Sequence, residues 1–433
     1  MERYSEYKDS GVKWLGEIPS HWEPSRNKAI FRETKAVVGK YSKNFTLLSL
    51  TKKGVIVRNL DDGGKFPAEF DTYKIVEPGD FIFCFFDVDE TPRAIGLSAN
   101  KGMITGAYTV LKQNTANSRY LYYYYLSIDN AKALKPLYSG LRKTVPLTSF
   151  MSMQIFLPPK EEQDAIVRYL DTATSKIDKA IAMQQKMIDL LNERKQIIVQ
   201  NAVTKGLDDK VEMKDSGVEW IGMIPKHWEI EPFGKHFTFG KGLPITKANL
   251  QEEGVAVISY GQVHAKYNLG TTLTETLVRY VSPKYLETHP QCLLNKNDFI
   301  FADTSEDVEG SGNFAFNDYK DKIFAGYHTV VARPKDLIYP KYYAYLFKSR
   351  AWKSQIQSLV NGVKVYSIGK RILKTSTLLI PSESEQKEIV KVLDLKTAAI
   401  EKSIENISHQ IALLQERKQI IINEVVTGKV KVS

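Results

Sequence analysis

The chain has 433 residues, of which 43% are hydrophobic and 25% charged, a composition typical of a soluble globular protein with two to four domains. Its 60 Lys and Arg side chains outnumber 50 Asp and Glu, so the net charge of +10 favours a polyanionic partner without establishing one. Cys84 and Cys292 offer neither a disulfide framework nor a zinc spacing, and the chain shows no signal-peptide pattern or bilayer-length apolar run, so we expect a cytoplasmic protein.

The first predicted element is a short motif that occurs twice. KDSGVKWLGEIPSHWE at Lys8–Glu23 returns as KDSGVEWIGMIPKHWE at Lys214–Glu229. Because Pro19 interrupts any helix, the motif predicts a short amphipathic turn that packs on a larger core. His21 and His227 each precede a tryptophan, which favours a packing role over a chemical one.

Residues 1–160 predict a first globular domain of mixed α and β structure. The runs NFTLLSL, DFIFCFF and AYTVL are strand-like, and RYLYYYYLSIDNAKAL is a candidate aromatic helix. These apolar residues are sufficient for a separate core. The character changes at Pro158 and Pro159, where a long helix is predicted to begin.

Residues 161–206 predict that helix, of about 43 residues and roughly 65 Å. It contains no Pro or Gly between Glu161 and Val203, and its apolar residues recur in heptads. The first seam position is occupied by Leu170, Ile177, Gln184, Leu191 and Ile198. The second is assigned to Ile166, Ala173, Ala180, Met187 and Arg194.

The second half repeats this order, with a linker and second globular domain at residues 207–382 and a second long helix and tail at residues 383–433. ERKQIIVQNAVTKG at Glu193–Gly206 matches ERKQIIINEVVTGK at Glu416–Lys429. The first seam position of this helix is occupied by Leu393, Ile400, Ile407, Leu414 and Ile421. The second is assigned to Ile389, Lys396, Ser403, Gln410 and Arg417.

The matched length and register of the two helices predict that they pair with each other. A lone helix of this kind would expose its apolar stripe to water, and pairing buries it. The heptads leave parallel and antiparallel pairing open, because a complete domain separates the helices. Antiparallel pairing would place the globular domains at opposite ends and bring the C-terminal VVTGKVKVS near the start of the chain.

Sequence patterns for catalysis are missing. No Gly-Lys is followed by Ser or Thr, as a phosphate-binding P-loop requires, and the one Pro-Pro lacks the residues expected of an amino-methyltransferase. Ser305, Glu306, Asp307 and His328 invite a hydrolase triad, but no G-x-S-x-G surrounds the serine. We therefore expect no catalytic residue and no metal site in this chain.

Taken together, the repeated motifs resemble those of the specificity subunit of type I restriction-modification systems, over essentially the whole chain. The resemblance rests on the two GV.W.G.IP.HWE openings, on LPPKEEQ...YLD and IPSESEQ...VLD, and on the duplicated ERKQII...VT ends. ISYGQV, FADTSED and AGYHTVVARP in the second half, and AIGLSANKGMITGAYTVL in the first, are similar to segments of target-recognition domains.

This resemblance implies an α+β fold in which two mixed target-recognition domains are joined by a pair of long antiparallel coiled-coil helices with an internal pseudo-twofold repeat. It implies a non-catalytic reader of double-stranded DNA that recognises a split, asymmetric target. It also implies docking of two methyltransferase subunits, which would bind S-adenosylmethionine and methylate adenine at N6. Restriction motor subunits would use ATP and Mg²⁺. No cofactor is expected in this chain.

Basic and amide side chains in polar loops are the candidates for DNA contact, because Arg and Lys pair with guanine and Gln with adenine in the major groove. In the first domain they are Lys52, Lys53, Arg58, Arg93, Arg142 and Lys143. In the second they are Lys241, Lys247, Gln262, His264, Lys364, Lys370 and Arg371.

Three other functions remain open from the sequence. A stand-alone sequence-specific DNA-binding regulator would bind tightly without partners. A complete methylating or cleaving enzyme would act alone, and a coiled-coil scaffold would not bind DNA.

Overall fold

The computed structural model describes residues 2–59, 67, 69–140, 143–335, 339–360, 362 and 365–432. The chain forms two compact units, and the division between them falls inside both long helices. The first unit contains the residues up to Gln185 and those from Ser408 onward, and the second contains Lys186–Ile407. Each unit therefore takes its helical part from both halves of the sequence repeat.

The first unit is built around a four-stranded antiparallel sheet with several short helices. Its elements in chain order are β1 (Tyr7–Asp9), β2 (Glu17–Pro19), β3 (Glu23–Arg26), α1 (Asn27–Ile30), β4 (Phe31–Thr34), β5 (Leu48–Thr51), β6 (Gly54–Val57), β7 (Lys74–Val76), β8 (Phe81–Phe83), β9 (Ile95–Leu97), β10 (Gly102–Ile104), β11 (Thr109–Gln113), α2 (Ser118–Asn130), α3 (Leu147–Ser152), β12 (Gln154–Leu157) and α4 (Lys160–Lys205). The sheet order is β4-β11-β8-β9, and the pairs β1-β2, β3-β12, β5-β6 and β7-β10 lie outside it.

The aromatic helix and the strand-like runs of the first half fold as the sequence predicts. Asn117 caps α2 by accepting hydrogen bonds from the backbone N–H groups of Arg119 and Tyr120, at 2.8 and 3.2 Å. The buried face of α2 includes Tyr125, whose ring lies edge-on to Phe83 of β8 with 5.5 Å between the centroids. This packing of α2 on the sheet forms the core of the first unit.

The second unit repeats the framework of the first and differs from it in the elements between the framework strands. Its elements are β13 (Met213–Asp215), β14 (Met223–Pro225), β15 (Glu229–Pro232), α5 (Phe233–His236), β16 (Phe237–Lys241), β17 (Val255–Ile258), α6 (Tyr260–Val263), β18 (Arg279–Val281), α7 (Tyr285–Thr288), β19 (Phe299–Ala302), β20 (Thr304–Ser305), β21 (Phe314–Phe316), β22 (Ile323–Ala325), β23 (Thr329–Pro334), α8 (Pro340–Lys348), α9 (Arg350–Gln357), β24 (Tyr366–Ser367), α10 (Lys370–Thr375), β25 (Thr377–Ile380) and α11 (Glu383–Val426). Its main sheet has the order β16-β23-β19-β21, equivalent to that of the first unit, and a separate sheet has the order β18-β17-β22.

The repeated opening motif holds the start of each long helix. In the first unit, Trp22 is fully buried and its indole N–H donates to Glu162 at 3.0 Å, while the His21 ring contacts the same carboxylate at 2.8 Å. In the second unit, Trp228 and His227 contact Glu385 in the same way, at 3.2 and 2.8 Å. Both histidines therefore hold a helix end, as a packing role requires.

The first seam position of the long helices is at least partly buried along its whole length. Leu170 and Leu393 have no solvent-exposed surface. The remaining predicted members are partly buried: Ile177, Leu191, Ile198, Ile400, Ile407, Leu414 and Ile421. At least partial burial of every residue at this position is typical of two helices that pair along their full length.

The second seam position predicted from the sequence is wrong by one residue. Met187 is 50% exposed, and Arg194, Gln410 and Arg417 are exposed as well. The side chains that are buried or partly buried follow one residue later, at Thr174, Ile181, Ile188, Lys195, Thr397, Ile404, Ile411 and Lys418. The prediction took Ile166 as its starting point and counted every seventh residue from there. At this point the helix packs on the core of the first unit, where both Ile166 and Val167 are buried, so burial does not distinguish the two registers.

Polar contacts between the helices show that they pair antiparallel, as the family resemblance implied. In the first unit, Lys418 contacts Asp178 at 2.7 Å, and the side-chain amide of Gln184 donates to Gln410 at 3.0 Å. Rising residue numbers in α4 thus match falling numbers in α11. In the second unit the ammonium of Lys195 lies 3.4 Å from Glu401 and continues the same register. The α+β fold with an antiparallel helix pair is confirmed.

The last turn of each long helix completes a globular core. Val426 of α11 is buried in the first unit, where its carbonyl accepts from the Tyr120 hydroxyl at 3.4 Å. Val203 of α4 is buried in the second unit and accepts from Tyr342 at 3.3 Å. In the first unit the backbone N–H of Lys431 also donates to the carbonyl of Glu2 at 2.9 Å, which brings the two ends of the chain together.

Candidate nucleic-acid interface

The two units differ most in the chain segment that connects the edge strand of the main sheet (β4 or β16) to the strand paired with it (β11 or β23). We call residues 35–108, between β4 and β11, the first variable segment, and residues 242–328, between β16 and β23, the second variable segment. Both are held by equivalent strands of equivalent sheets. Their own elements differ, so the framework is duplicated while the segments it presents are not.

Three predicted DNA-contact residues lie on the β5–β6 hairpin of the first variable segment. Lys52 and Lys53 form the exposed turn, and Arg58 follows the last residue of β6 and is partly buried. The backbone N–H of Arg58 donates to the carbonyl of Leu47 at 2.9 Å, which closes the base of the hairpin. The structure therefore brings these three residues together on one element.

The other candidates of the first unit lie elsewhere. Arg93 has an internal role: its side chain is only 17% exposed, and its guanidinium lies 3.1 Å from the buried carboxylate of Asp129. Lys143 is exposed and lies 3.4 Å from Asp89. Arg142 lies outside the described residues. We therefore regard Arg93 as a residue that stabilises the fold rather than one that is free to bind DNA.

In the second unit, four basic candidates occupy accessible positions. Lys241 is the exposed last residue of β16, and Lys247 is exposed shortly after it. Lys370 and Arg371 begin α10, where Lys370 is partly buried and Arg371 exposed. Lys364 lies outside the described residues. These positions leave the ammonium and guanidinium groups available for phosphate or base contacts.

The side-chain oxygen of Gln262 and both ring nitrogens of His264 are hydrogen-bonded inside the protein. The Gln262 side-chain oxygen accepts from the backbone N–H of Ser259 at 3.1 Å and so caps α6. The two ring nitrogens of His264 lie 2.8 Å from the carbonyl of Thr304 and 3.1 Å from the amide nitrogen of Asn313. Reading a base with either residue would require breaking these hydrogen bonds.

A buried lysine fixes the tautomer of His264. Lys353 donates to the Oδ1 atom of Asn313 at 2.6 Å, and burial lowers the pKa of this lysine. Because an ammonium group only donates, Asn313 must present its NH₂ group to Nδ1 of His264. The imidazole therefore carries its proton on Nε2 and donates it to Thr304. His264 thus positions the loop that begins at Thr304.

This loop lines an open cavity of about 710 Å³ in the second variable segment. Its walls include Tyr260, His264, Ser305, Asp307, Asn313 and His328. The Ser305 hydroxyl faces Asp307 at 3.5 Å, while the His328 ring faces Asp303 at 3.3 Å. Among the described residues, these contacts pair the serine and the histidine with different carboxylates.

A second buried lysine lies beneath the same segment. Lys348 donates to the carbonyl of Leu269 at 2.5 Å. Burial lowers the pKa of Lys348 to about 8, with Lys195 acting in the same direction and Glu401 opposing it. This lysine supports the base of the variable segment through its hydrogen bond to Leu269.

An exposed apolar stripe on the outer face of the long helices was missed by the sequence reasoning. Leu190 and Ile197 of α4 are 49% and 52% exposed, and Arg194 between them is exposed. Leu413 and Ile420 of α11 are 50% and 48% exposed and flank Arg417 in the same way. We call each of these triplets an outer-face stripe. The identical ERKQII blocks carried part of this signal, but Arg194 and Arg417 had been assigned to the seam.

Among the residues that the structure describes, no three His, Cys, Asp or Glu side chains are grouped closely enough to hold a metal ion. Within the same residues, no helix combines the length and apolar character needed to cross a bilayer. Cys84 and Cys292 are both buried and free.

Comparisons with known proteins agree with the fold. A family model described as the type I restriction modification DNA specificity domain matches residues 98–186 and 225–409. The type I restriction enzyme MjaVIII specificity subunit of Methanocaldococcus jannaschii is 25% identical over 335 residues, covering 77% of this chain and 75% of the relative. The putative type I restriction enzyme MjaX specificity subunit of the same organism is 24% identical over 449 residues and is covered to 98%, as is this chain.

The fold is also similar to that of a solved chain described under "Structural basis underlying complex assembly and conformational transition of the type I R-M system". The TM-score is 0.66 at 15% identity, and the match covers 95% of this chain and 99% of that chain.

Proposed function

The chain belongs to the type I restriction modification DNA specificity family, and from this premise we propose that it is the sequence-reading subunit of a restriction-modification complex. We propose that its two variable segments recognise the two parts of a split, asymmetric DNA target. The observation that carries this proposal is that the framework is duplicated while the variable segments differ. If both units recognised the same bases, they would not need different variable segments.

We propose that the helix pair sets the distance between the two parts of the target. α4 has 46 residues and α11 has 44, so their lengths are about 69 and 66 Å at 1.5 Å per residue. Neither helix contains a Pro or Gly, and the seam is buried or partly buried throughout. We expect a gap of fixed length, with half-sites on one face of the duplex about one helical turn apart.

We propose that the two outer-face stripes dock two copies of one methyltransferase subunit. Seam residues hold the two helices together, whereas Ile197 and Ile420 are exposed and the fold does not require them. Retention of the same Leu, Arg and Ile in both copies fits a surface that is used twice against the same partner. Exposed apolar residues around an arginine are typical of protein interfaces.

The chemistry of the complex would then reside in the partner chains. We propose that the methyltransferase subunits carry S-adenosylmethionine and methylate adenine at N6, and that motor subunits use ATP and Mg²⁺. This chain would supply DNA binding alone. Its exposed Lys52, Lys53, Lys241, Lys247 and Arg371 would bind phosphate or base edges, so its affinity for DNA should fall steeply with salt.

The proposal is tested by assembling the purified chain with the methyltransferase of the same operon. We expect two methyltransferase subunits per chain by native mass spectrometry, and methyl transfer that requires both proteins. Ile197→Asp with Ile420→Asp should abolish assembly, whereas Lys210→Asp, at an exposed position outside the stripes, serves as the control. Tight and specific DNA binding by the chain alone, with no assembly, would instead support a stand-alone regulator.

A further inference from the structure

The β5–β6 hairpin of the first variable segment has no counterpart in the second. In the first unit, Leu47 forms a parallel bridge with Met103 of β10, and the chain then continues as the two strands of the hairpin. In the second unit, β17 pairs in parallel with β22, and the chain then turns into α6. At the same point of the fold, the two units thus present different elements.

One face of the hairpin is seated on the main sheet of the first unit. A Cβ atom added at Gly96 of β9 would lie 2.5 Å from the Val55 side chain and 2.7 Å from that of Leu50. The absence of a side chain at Gly96 therefore allows the hairpin to approach β9 closely. Because successive strand residues alternate in direction, the opposite face carries Ser49 and Ile56, which are directly paired across the two strands.

The outer face and turn of the hairpin are unusual for a surface element. Ile56 on this outer face is 39% exposed, and its cross-strand partner Ser49 is partly buried. Lys52 and Lys53 are exposed at the turn, and neither ammonium group bonds to a described residue. The sequence from Thr46 to Asn59 contains three basic residues and no acidic one. The hairpin therefore combines positive charge with accessible aliphatic and hydroxyl groups.

We propose that this hairpin enters the major groove and reads the half-site recognised by the first unit, an inference that rests on the proposed function. The major groove is about 12 Å wide and 8.5 Å deep and admits a two-stranded ribbon. Each strand has four residues, or about 13 Å, which is sufficient to reach the groove floor. Ile56 then contacts a thymine methyl group, Ser49 hydrogen-bonds a base edge, and the two lysines at the turn bind phosphates.

The hairpin occurs in one unit alone, and this favours DNA over a protein partner as the molecule that it contacts. A partner present in two copies needs the same contact on both units, as the outer-face stripes provide. An element that is found in one unit alone suits the part of the target that differs between the half-sites. The positive charge of the hairpin agrees with this choice. Its seat on Gly96 keeps the reading side chains in a fixed position, which favours specificity.

The test uses the full chain assembled with its methyltransferase partner, with base preferences measured on a library of split-site duplexes. Ile56→Ser should lower discrimination on the order of tenfold at positions within one half-site and leave the other half-site and the gap unchanged. Lys52→Ala with Lys53→Ala should weaken binding to all sequences and lower the slope of log K against log salt by about one to two.

Matched controls are Leu207→Ser, at a position with 42% exposure, and Lys13→Ala with Lys210→Ala, which removes two exposed charges elsewhere. Unchanged reading of the second half-site shows that each hairpin variant is folded. If both hairpin variants behave like the controls, or if Ile56→Ser lowers affinity with no change in base preference, the inference is wrong although the proposed function stands. If the wild-type complex recognises no split site, the proposed function itself fails.

Discussion

The distance between the two half-sites should increase when both long helices are lengthened by one heptad. The change is a second copy of residues 179–185 inserted after Gln185, and a second copy of residues 403–409 inserted after His409. These points lie beside the contact between Gln184 and Gln410, so the two insertions face each other. Seven residues preserve the seam on both helices, because the buried positions recur every seven residues.

The magnitude follows from helix geometry. Seven residues at 1.5 Å each lengthen the pair by about 10.5 Å, which corresponds to roughly three base pairs at 3.4 Å. We therefore expect the same two half-site sequences with a gap about three base pairs longer. An insertion near Thr204 is less suitable, because this residue is buried in the second unit and its displacement would disturb the core.

The assay is a comparison of methylated adenine sites between cells that express the original chain and cells that express the lengthened one. The control variant carries the heptad in α4 alone, which leaves seven residues unmatched and should abolish methylation. An active double-insertion variant whose gap is unchanged would show that the helix pair does not set the spacing, and the spacing argument would have to be abandoned.

Three further predictions concern stability and docking. Gln184 places a buried side-chain oxygen without a hydrogen bond in the seam, so Gln184→Ile should stabilise the protein by about 1 kcal/mol in thermal unfolding, and an unchanged or lower melting temperature would contradict this. Burial opposes ionisation of Glu385, but hydrogen bonds, including that from His227, hold its pKa below the usual 4.5 overall. Because this pKa is depressed in the folded state, its stabilising contribution is present above pH 4.5 and lost as the pH falls further, and Glu385→Gln should flatten the acid limb of a stability profile. A single Ile197→Asp or Ile420→Asp substitution should leave one methyltransferase bound per chain by native mass spectrometry, whereas two bound copies would contradict docking on the stripes.

Much of the architecture could be predicted from the sequence because the chain repeats itself. Two matched heptad helices predicted a pair, and the aromatic run of the first half predicted the helix α2. The orientation of the pair could not be derived from heptads, since both orientations bury the same stripe. It becomes evident only from contacts such as those of Lys418 with Asp178 and Lys195 with Glu401, which lie 240 and 206 residues apart in the chain.

The second seam was misplaced for a physical reason. Its true members include Thr174, Lys195 and Lys418, which look unlike seam residues in the sequence, whereas the exposed Met187 looks like one. The lysines are tolerated because their aliphatic stems lie in the seam while their ammonium groups reach carboxylates of the other helix. Patterns of hydrophobicity alone do not distinguish these cases.

The candidate DNA-contact residues fall into two groups, those whose polar atoms bond within the protein and those whose charges are exposed. The sequence does not show which residue belongs to which group. Arg93, Gln262 and His264 had the right chemistry. However, the Arg93 guanidinium pairs with Asp129, the Gln262 oxygen accepts from Ser259, and the His264 ring bonds to Asn313 and Thr304. The hairpin turn at Lys52 and Lys53 keeps its charges exposed. Residue type thus suggested a role in each case, and tertiary hydrogen bonding decides which side chains are available for it.

The central claim is that two unlike readers on one duplicated framework recognise two separate parts of a DNA target. Genome-wide mapping of methylated adenine, in cells with and without this gene and with the methyltransferase gene retained, tests it most directly. We expect methylation at a two-part asymmetric sequence with a gap of one fixed length to disappear when the gene is removed. Methylation at one short continuous sequence, or a methylation pattern that does not depend on the gene, would contradict it.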